Sequence, residues 1–181
     1  MASGRGSNFL AIQHEIEQGR LDAEIVLLIS DRSNAPALEL AGDHHISARN
    51  IPYDKSDRPA FEKQAGDAFA AARCDYIVLA GFMRILTPSF IKRFSERILN
   101  IHPSLLPSFK GLHPQRQALE AGVKFSGCTV HLVTPELDDG PIIAQAVVPV
   151  LDQDTEASLS DRILKQEHRL YAEAIRALAE R

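Results

Sequence analysis

Apolar residues along this chain fall into two patterns, short continuous runs and runs spaced every three or four positions. Glu24 to Ile29, Tyr76 to Ala80 and Ile98 to Ile101 are near-continuous apolar stretches, the pattern of strands buried on both faces. Phe9, Leu10, Ile12 and Ile16 recur at helical spacing behind the glycine loop Ser3–Asn8, and Gly19 ends that helix. Further helices are expected over Pro36–Ala41, capped by Asn34, and over Pro59–Arg73, started by Ser56 or Asp57. Thr87-Pro88 starts another helix, and one over Gln115–Ala121 stops at Gly122. His44 to Tyr53 reads as a weak edge strand. Cys128–Val133 and Ile142–Val150 read as two strands joined by a turn around Asp139-Gly140-Pro141. A long amphipathic helix, Glu156–Ala179, carries Leu159, Ile163, Leu170 and Ile175 on or near one stripe. Strands alternating with helices predict an α/β fold, a Rossmann-like three-layer sandwich with a mostly parallel central sheet. Ligands of such sheets bind beyond the carboxyl ends of strands, which directs attention to the loops after Ala80, Ile101 and Val133.

Composition narrows the class. With 181 residues, 45% hydrophobic and 24% charged, the chain fits one soluble domain, 1–181, with a full-sized core. A net charge of −4 and the lack of any basic run argue against a nucleic-acid partner. No apolar stretch reaches membrane-spanning length, and no signal peptide opens the chain, so a cytoplasmic protein is expected. Cys74 and Cys128 lie far apart and read as reduced thiols.

The segment Asn100-Ile101-His102-Pro103 is the first candidate for chemistry. Residues i and i+2 of a strand share a face, so Asn100 and His102 point together beyond a strand that Pro103 ends. An amide donor beside a titratable donor suits a carbonyl oxygen turning into an oxyanion. Asp138 lies in Leu137-Asp138-Asp139-Gly140-Pro141; it suits an ordinary turn, but placed beside His102 it would favour the charged imidazolium. Gly4-Arg5-Gly6-Ser7-Asn8-Phe9 is not a dinucleotide fingerprint, since Phe9 stands where the third glycine belongs. Two glycines before a helix can still offer amides to one phosphate, aided by Ser7 and Asn8. Gly81 in Ala80–Leu86 permits close approach by a flat ligand. Asp43-His44-His45 lacks a second cluster and reads as surface or packing, and His14 as solvent-facing. His113, His131 and His168 draw interest by context more than by spacing. No Gly-x-Ser-x-Gly elbow occurs.

Together these segments resemble the phosphoribosylglycinamide formyltransferases of purine biosynthesis. The resemblance rests on S-G-R-G-S-N at 3–8, L-A-G-F-M-R-I-L at 79–86, N-I-H-P-S-L-L-P at 100–107 and G-L-H at 111–113. It continues through V-H-L-V-T at 130–134, L-D-D-G-P at 137–141 and Q-E-H at 166–168. It implies formyl transfer from 10-formyltetrahydrofolate, without a metal, to the amine of glycinamide ribonucleotide, with Asn100, His102 and Asp138 as catalytic residues. It implies that Gly6, Ser7 and Asn8 hold the ribonucleotide phosphate, and that Leu164, Lys165, Gln166 and Glu167 complete that site. Leu164 has no polar side chain to offer there, and Glu167 is the expected polar contact. It places Arg58, Met83, Arg84, Ile85, Leu86 and Asn100, with Thr134, Pro135, Glu136, Leu137 and Asp138, around the folate. The expected partners are these two small molecules, with no nucleic acid, no membrane, and a homodimer left open.

Other readings share the same residues: a folate- and ribonucleotide-binding domain impaired in transfer, another folate-dependent formyltransferase, or a deformylase. The family opens on an apolar strand, whereas only Met1-Ala2 precede Ser3, so the first strand is expected to be truncated. The corresponding expectation is that the natural product carries a short apolar segment upstream of Ser3. The chain also ends soon after its last helix.

Overall fold

The computed structural model describes residues 1–180, which form two compact units, Met1–Ile98 and the residues from Leu99 onward. The first unit runs α1 (Ser7–Glu17), β1 (Leu28–Ser30), α2 (Pro36–Asp43), β2 (Ala48–Asn50), α3 (Arg58–Ala72), β3 (Ile77–Leu79) and α4 (Pro88–Arg93). Strand β4 (Ile98–His102) leads into the second unit, followed by α5 (Pro114–Glu120), β5 (Phe125–Leu132), β6 (Ile142–Pro149) and α6 (Glu156–Ala179). The expected α/β class holds, and α6 has the bounds its apolar stripe predicts.

In the first unit β1 pairs in parallel with β2, Ile29 opposite Arg49. All three residues of β1 are buried, whereas β2 is exposed throughout, as an edge strand should be. The apolar run from Glu24 is therefore a strand only over its last residues. Glu24 and Val26 face solvent, and regular pairing begins at Leu28, where β2 lies alongside. Met1 to Ser3 fill the strand slot between β1 and β3. Ala2 donates its N–H to Ile29 O, Ala80 to Met1 O, and Ser3 to Gly81 O. Ala2, Phe9, Leu28, Ala37, Ala41 and Ala80 form a core under α1 and α2. Alanine-rich packing brings the two helices close. A Cβ on Gly6 would stand 2.9 Å from the Ala37 Cβ, and Gly6 has φ +78°, so glycine is required on both counts. Asn34 does not cap α2; Ala35 occupies that position and Pro36 opens the helix.

The second unit departs from the parallel expectation. β4 pairs antiparallel with β5, and β5 antiparallel with β6. The loop 133–141 contains no helix to carry the chain back over the sheet, so the strands on either side of it run in opposite directions. Helix α6 packs on β5 and β6 through the stripe Leu159, Ile163, Leu170, Tyr171 and Leu178. Its start is fixed by a capping box, Thr155 Oγ1 accepting from Ser158 N–H while Ser158 Oγ accepts from Thr155 N–H. Tyr171 is fully buried and its hydroxyl donates to the Leu99 carbonyl at 3.1 Å, tying the helix to the start of β4.

Removing that hydroxyl leaves a buried carbonyl short of one donor. Tyr171→Phe is expected to lower stability by roughly 1–3 kcal/mol, read from the midpoint of urea unfolding. An unchanged midpoint would show that the hydroxyl does not hold β4.

Candidate active site

The register of β4 on β5 assembles the centre of the site. Asn100 stands opposite His131 and His102 opposite Thr129. Because alternate residues share a face, Asn100, His102, Thr129 and His131 all project to the same side of this strand pair. Asn100 Nδ2 lies 3.2 Å from His131 Nε2, and His131 Nδ1 lies 3.0 Å from the Leu132 carbonyl. A carbonyl only accepts, so Nδ1 carries the proton and Nε2 presents a lone pair to the Asn100 amide. His131 is 2% exposed, and burial pushes it below its ordinary value of 6.5, outweighing the nearby Asp138 carboxylate. Asp138 Oδ1 lies 3.8 Å from His131 Nε2, too far for a hydrogen bond, so His131 is neutral and its bond is with Asn100.

His102 is buried and held from both ring nitrogens. Nε2 donates to the Phe109 carbonyl at 2.9 Å, and Nδ1 faces Asp138 Oδ2 at 3.4 Å. The first contact fixes a proton on Nε2 and leaves Nδ1 turned toward Asp138. Asp138 Oδ2 also accepts from Gly111 N–H at 2.9 Å. These contacts hold Asp138 at φ +50°, a left-handed conformation that costs a non-glycine residue on the order of 1 kcal/mol. Gly140 lets the loop close on β5, since a Cβ there would stand 1.7 Å from the Leu132 carbonyl oxygen. Lys110 pairs with Asp139 across the same two loops.

Thr129 supports the loop that bears Phe109. Its buried hydroxyl donates to Ser104 O at 2.7 Å and accepts from Leu106 N–H and Gln145 Nε2, each at 3.0 Å. Ser104 Oγ donates to Ser108 O at 2.6 Å. The segment 103–109 is thus hydrogen-bonded to the sheet on which His102 stands.

On α6, Glu167 is buried, Leu164 and Gln166 are half-buried, and Lys165 faces solvent. Thr134 Oγ1 donates to the Glu136 carbonyl, and Leu137 is exposed within the Thr134–Asp138 loop.

In the first unit, the N-cap position of α1 is Gly6, which has no side chain to close the helix start. The loop 81–87 converges on the same Ser3, whose Oγ accepts from Met83 N–H at 2.9 Å. Met83 and Ile85 are exposed, whereas Leu86 is buried and contributes to the core. The Arg84 side chain is committed within the protein. Its Nε donates to the buried carboxylate of Asp31 at 2.7 Å, and its guanidinium lies 4.5 Å from the centre of the Tyr53 ring. Arg84 therefore ties the loop 81–87 to Asp31 and Tyr53 through its side chain. His44 pairs with Glu17 at 2.7 Å, and His14 is exposed as expected. Among the described residues no group of three His, Cys, Asp or Glu side chains could hold a metal ion, and no helix is long and apolar enough to cross a membrane.

Residues 1–175 match the family model described as formyl transferase. The chain is 41% identical over 172 residues to phosphoribosylglycinamide formyltransferase of Escherichia coli, covering 94% of this chain and 81% of that protein. This chain belongs to the phosphoribosylglycinamide formyltransferase family. A crystal structure of glycinamide ribonucleotide transformylase 1 from Symbiobacterium toebii superposes with a TM-score of 0.94 at 47% identity, covering 99% of this chain and 85% of that one. The trifunctional purine biosynthetic protein adenosine-3 of Drosophila melanogaster is 43% identical over 182 residues, and this chain spans 13% of its length.

His131 is the residue that spacing left unassigned. The signal that finds it is register, because only the pairing of β4 with β5 places it opposite Asn100. A histidine held neutral by the fold contributes stability above its unfolded value and loses it as pH falls through its lower folded value. His131 should thus titrate below 6.5 and remain an Nδ1–H tautomer at pH 7, both readable from ring 15N shifts. A midpoint above 6.5 would show that Asp138 and not burial governs it.

Proposed function

We propose that this chain transfers the formyl group of 10-formyltetrahydrofolate to the primary amine of glycinamide ribonucleotide. The observation that carries the proposal is the set Asn100, His102 and Asp138, with the His102 Nδ1 to Asp138 Oδ2 contact at 3.4 Å on one face of β4. The residues suit a folate: exposed Met83 and Ile85 offer an apolar edge to a flat ring system, and half-exposed Arg58 offers a cation to a carboxylate tail. The folate supplies the formyl carbon and leaves as tetrahydrofolate.

The amine of the ribonucleotide, with a pKa of about 7.7–8.0, is partly neutral near pH 7 and needs no strong base. As its nitrogen bonds to the formyl carbon, the carbonyl electron pair moves onto oxygen. Asn100 donates to that oxygen through Nδ2, and His131 holds the amide in place from behind. His102, protonated at Nδ1, adds a second donor, and Asp138 balances its positive charge. The bond from carbon to the folate nitrogen then breaks, and that nitrogen takes a proton from Nδ1, directly or through a water. The amine releases one proton in the same turnover, so Nδ1 is reprotonated and the balance closes. Nε2 keeps its proton on Phe109 throughout. Gly6, Ser7 and Asn8 hold the ribonucleotide phosphate at the start of α1, where backbone amides and the helix dipole favour an anion. Glu167, buried on α6, is the polar group that the family resemblance assigns to the ribonucleotide.

His102→Ala and Asp138→Asn should each lower kcat by roughly two to four orders of magnitude while both substrates still bind. Asn100→Ala should lower it by about 10²–10³, the value of one oxyanion donor. Steady-state kinetics with calorimetric binding checks this, and near-normal kcat in the His102 variant would remove the acid from the scheme.

Ser7→Asp separates the phosphate assignment from folding. A carboxylate at the first position of a helix suits its dipole, so thermal stability should be kept or raised. Two negative charges within about 4 Å repel by several kcal/mol, so the KM for the ribonucleotide should rise on the order of tenfold or more. An unchanged KM with an intact fold would place the phosphate elsewhere.

A further inference from the structure

One buried carboxylate in the first unit holds the loop 81–87 and Arg58 together. Glu62, on the second turn of α3, is 6% exposed, and such a group is tolerated only when its oxygens are well supplied with donors. Its Oε1 accepts from Thr87 N–H at 2.7 Å and from Arg58 Nε at 3.4 Å, and its Oε2 accepts from the Thr87 hydroxyl. Thr87 ends the loop 81–87 and caps α4, with Oγ1 accepting from Phe90 N–H at 3.3 Å. Glu62 thereby fixes the end of the loop whose Met83 and Ile85 are exposed.

Arg58 is not placed for helix stability. It is the first residue of α3, where the positive end of the helix dipole disfavours a cation, and an Arg-to-Glu order along the helix is the weaker arrangement of such a pair. Among the described residues its guanidinium makes one hydrogen bond, from Nε to Glu62, while its side chain stays 31% exposed. Held by Nε, the guanidinium keeps both terminal nitrogens for an anion, the geometry that receives a carboxylate.

We propose that Glu62 is a positioning residue for the formyl donor: one carboxylate sets the apolar loop 81–87 and the Arg58 cation in fixed relation, so that a ligand with a flat body and a carboxylate tail meets both. This rests on the folate reading above and assigns Glu62 no contact with the ligand.

The test compares wild type, Glu62→Gln, Glu62→Asp, Arg58→Ala and the double variant Arg58→Ala/Glu62→Gln. Each is measured with 10-formyltetrahydrofolate and with the same donor lacking its glutamate, by calorimetric Kd and by KM against kcat. Glu62→Gln should weaken the intact donor about tenfold, in Kd and in KM more than in kcat. The loss should be smaller for the shortened donor, partly restored in Glu62→Asp, and less than additive with Arg58→Ala. The Kd of glycinamide ribonucleotide should stay within about twofold. Equal weakening of both donors and of the ribonucleotide, or full additivity with Arg58→Ala, would overturn the proposal and leave Glu62 a purely structural cap. If Glu62→Gln fails to fold, Glu62→Asp and Arg58→Ala still decide it, since equal losses for both donors in those two variants would overturn it alone. Wild type that binds neither donor would overturn the folate reading as well, whereas wild type that binds both without transferring leaves the Kd comparison to decide the role of Glu62.

Discussion

The antiparallel register between β4 and β5 sets Asn100, His102, Thr129 and His131 on one face of the sheet. Side chains alternate across a sheet, so a slip of one residue would turn Asn100 and His102 to the opposite face and dissolve the site at once. The register is held from several sides. Leu99 receives the buried Tyr171 hydroxyl, and Thr129, opposite His102, clamps the following loop through Ser104 and Leu106. The chemical groups thus stand on regular sheet, while the loops 103–111 and 136–140 bring Phe109 and Asp138 up to them. A rigid frame of this kind keeps hydrogen-bond donors aimed before a substrate arrives, which is where most electrostatic stabilisation of an oxyanion originates.

Two histidines on neighbouring strands take different roles because their surroundings differ. His131 is buried against an amide and a carbonyl, neither of which needs it charged, and burial keeps it neutral. His102 has a carbonyl on one side and a carboxylate on the other, an arrangement that accommodates a proton on both nitrogens. Asp138 lies within 4 Å of both rings but has its closer contact, and its backbone donor from Gly111, on the oxygen facing His102. The neutral histidine steadies Asn100, and in the proposed reaction the other carries the mobile proton. Cys128, in the same sheet, takes no part in this, because burial pushes its thiol up to about 12.

Much of the fold and the heart of the site are legible along the chain, and the reasons are local. The stripe of α6 and the polar residues before it mark both helix ends, and Asp57 and Thr87 cap the helices they precede. Asn100 and His102 are legible as a pair because a strand of any partner puts i and i+2 on one face. What stays hidden is what depends on a partner. β1 reads as a longer strand because Ile25, Val26 and Leu27 are apolar, yet only Leu28–Ser30 have β2 alongside. The antiparallel course of β5 and β6 depends on pairing that composition does not specify. His131, Phe109 and Glu62 join the functional groups through contacts far away in sequence or through a backbone carbonyl, which carries no residue-type signal at all. Arg84 is the converse case: a cation in a candidate ligand loop, it is occupied by Asp31 and Tyr53, which no local pattern announces.

The residues around His102 could in principle serve an attacking amine or an attacking water, since both give an oxyanion on the formyl carbon and both need a proton on the departing nitrogen. Membership of the phosphoribosylglycinamide formyltransferase family argues for the amine. The most direct measurement follows the formyl carbon, labelled with 13C in 10-formyltetrahydrofolate, in the presence and absence of glycinamide ribonucleotide. The account predicts that the label leaves the folate only when the ribonucleotide is present and appears one-for-one on its amine nitrogen. Release of labelled formate at the same rate without the ribonucleotide would contradict it and make the reaction a hydrolysis.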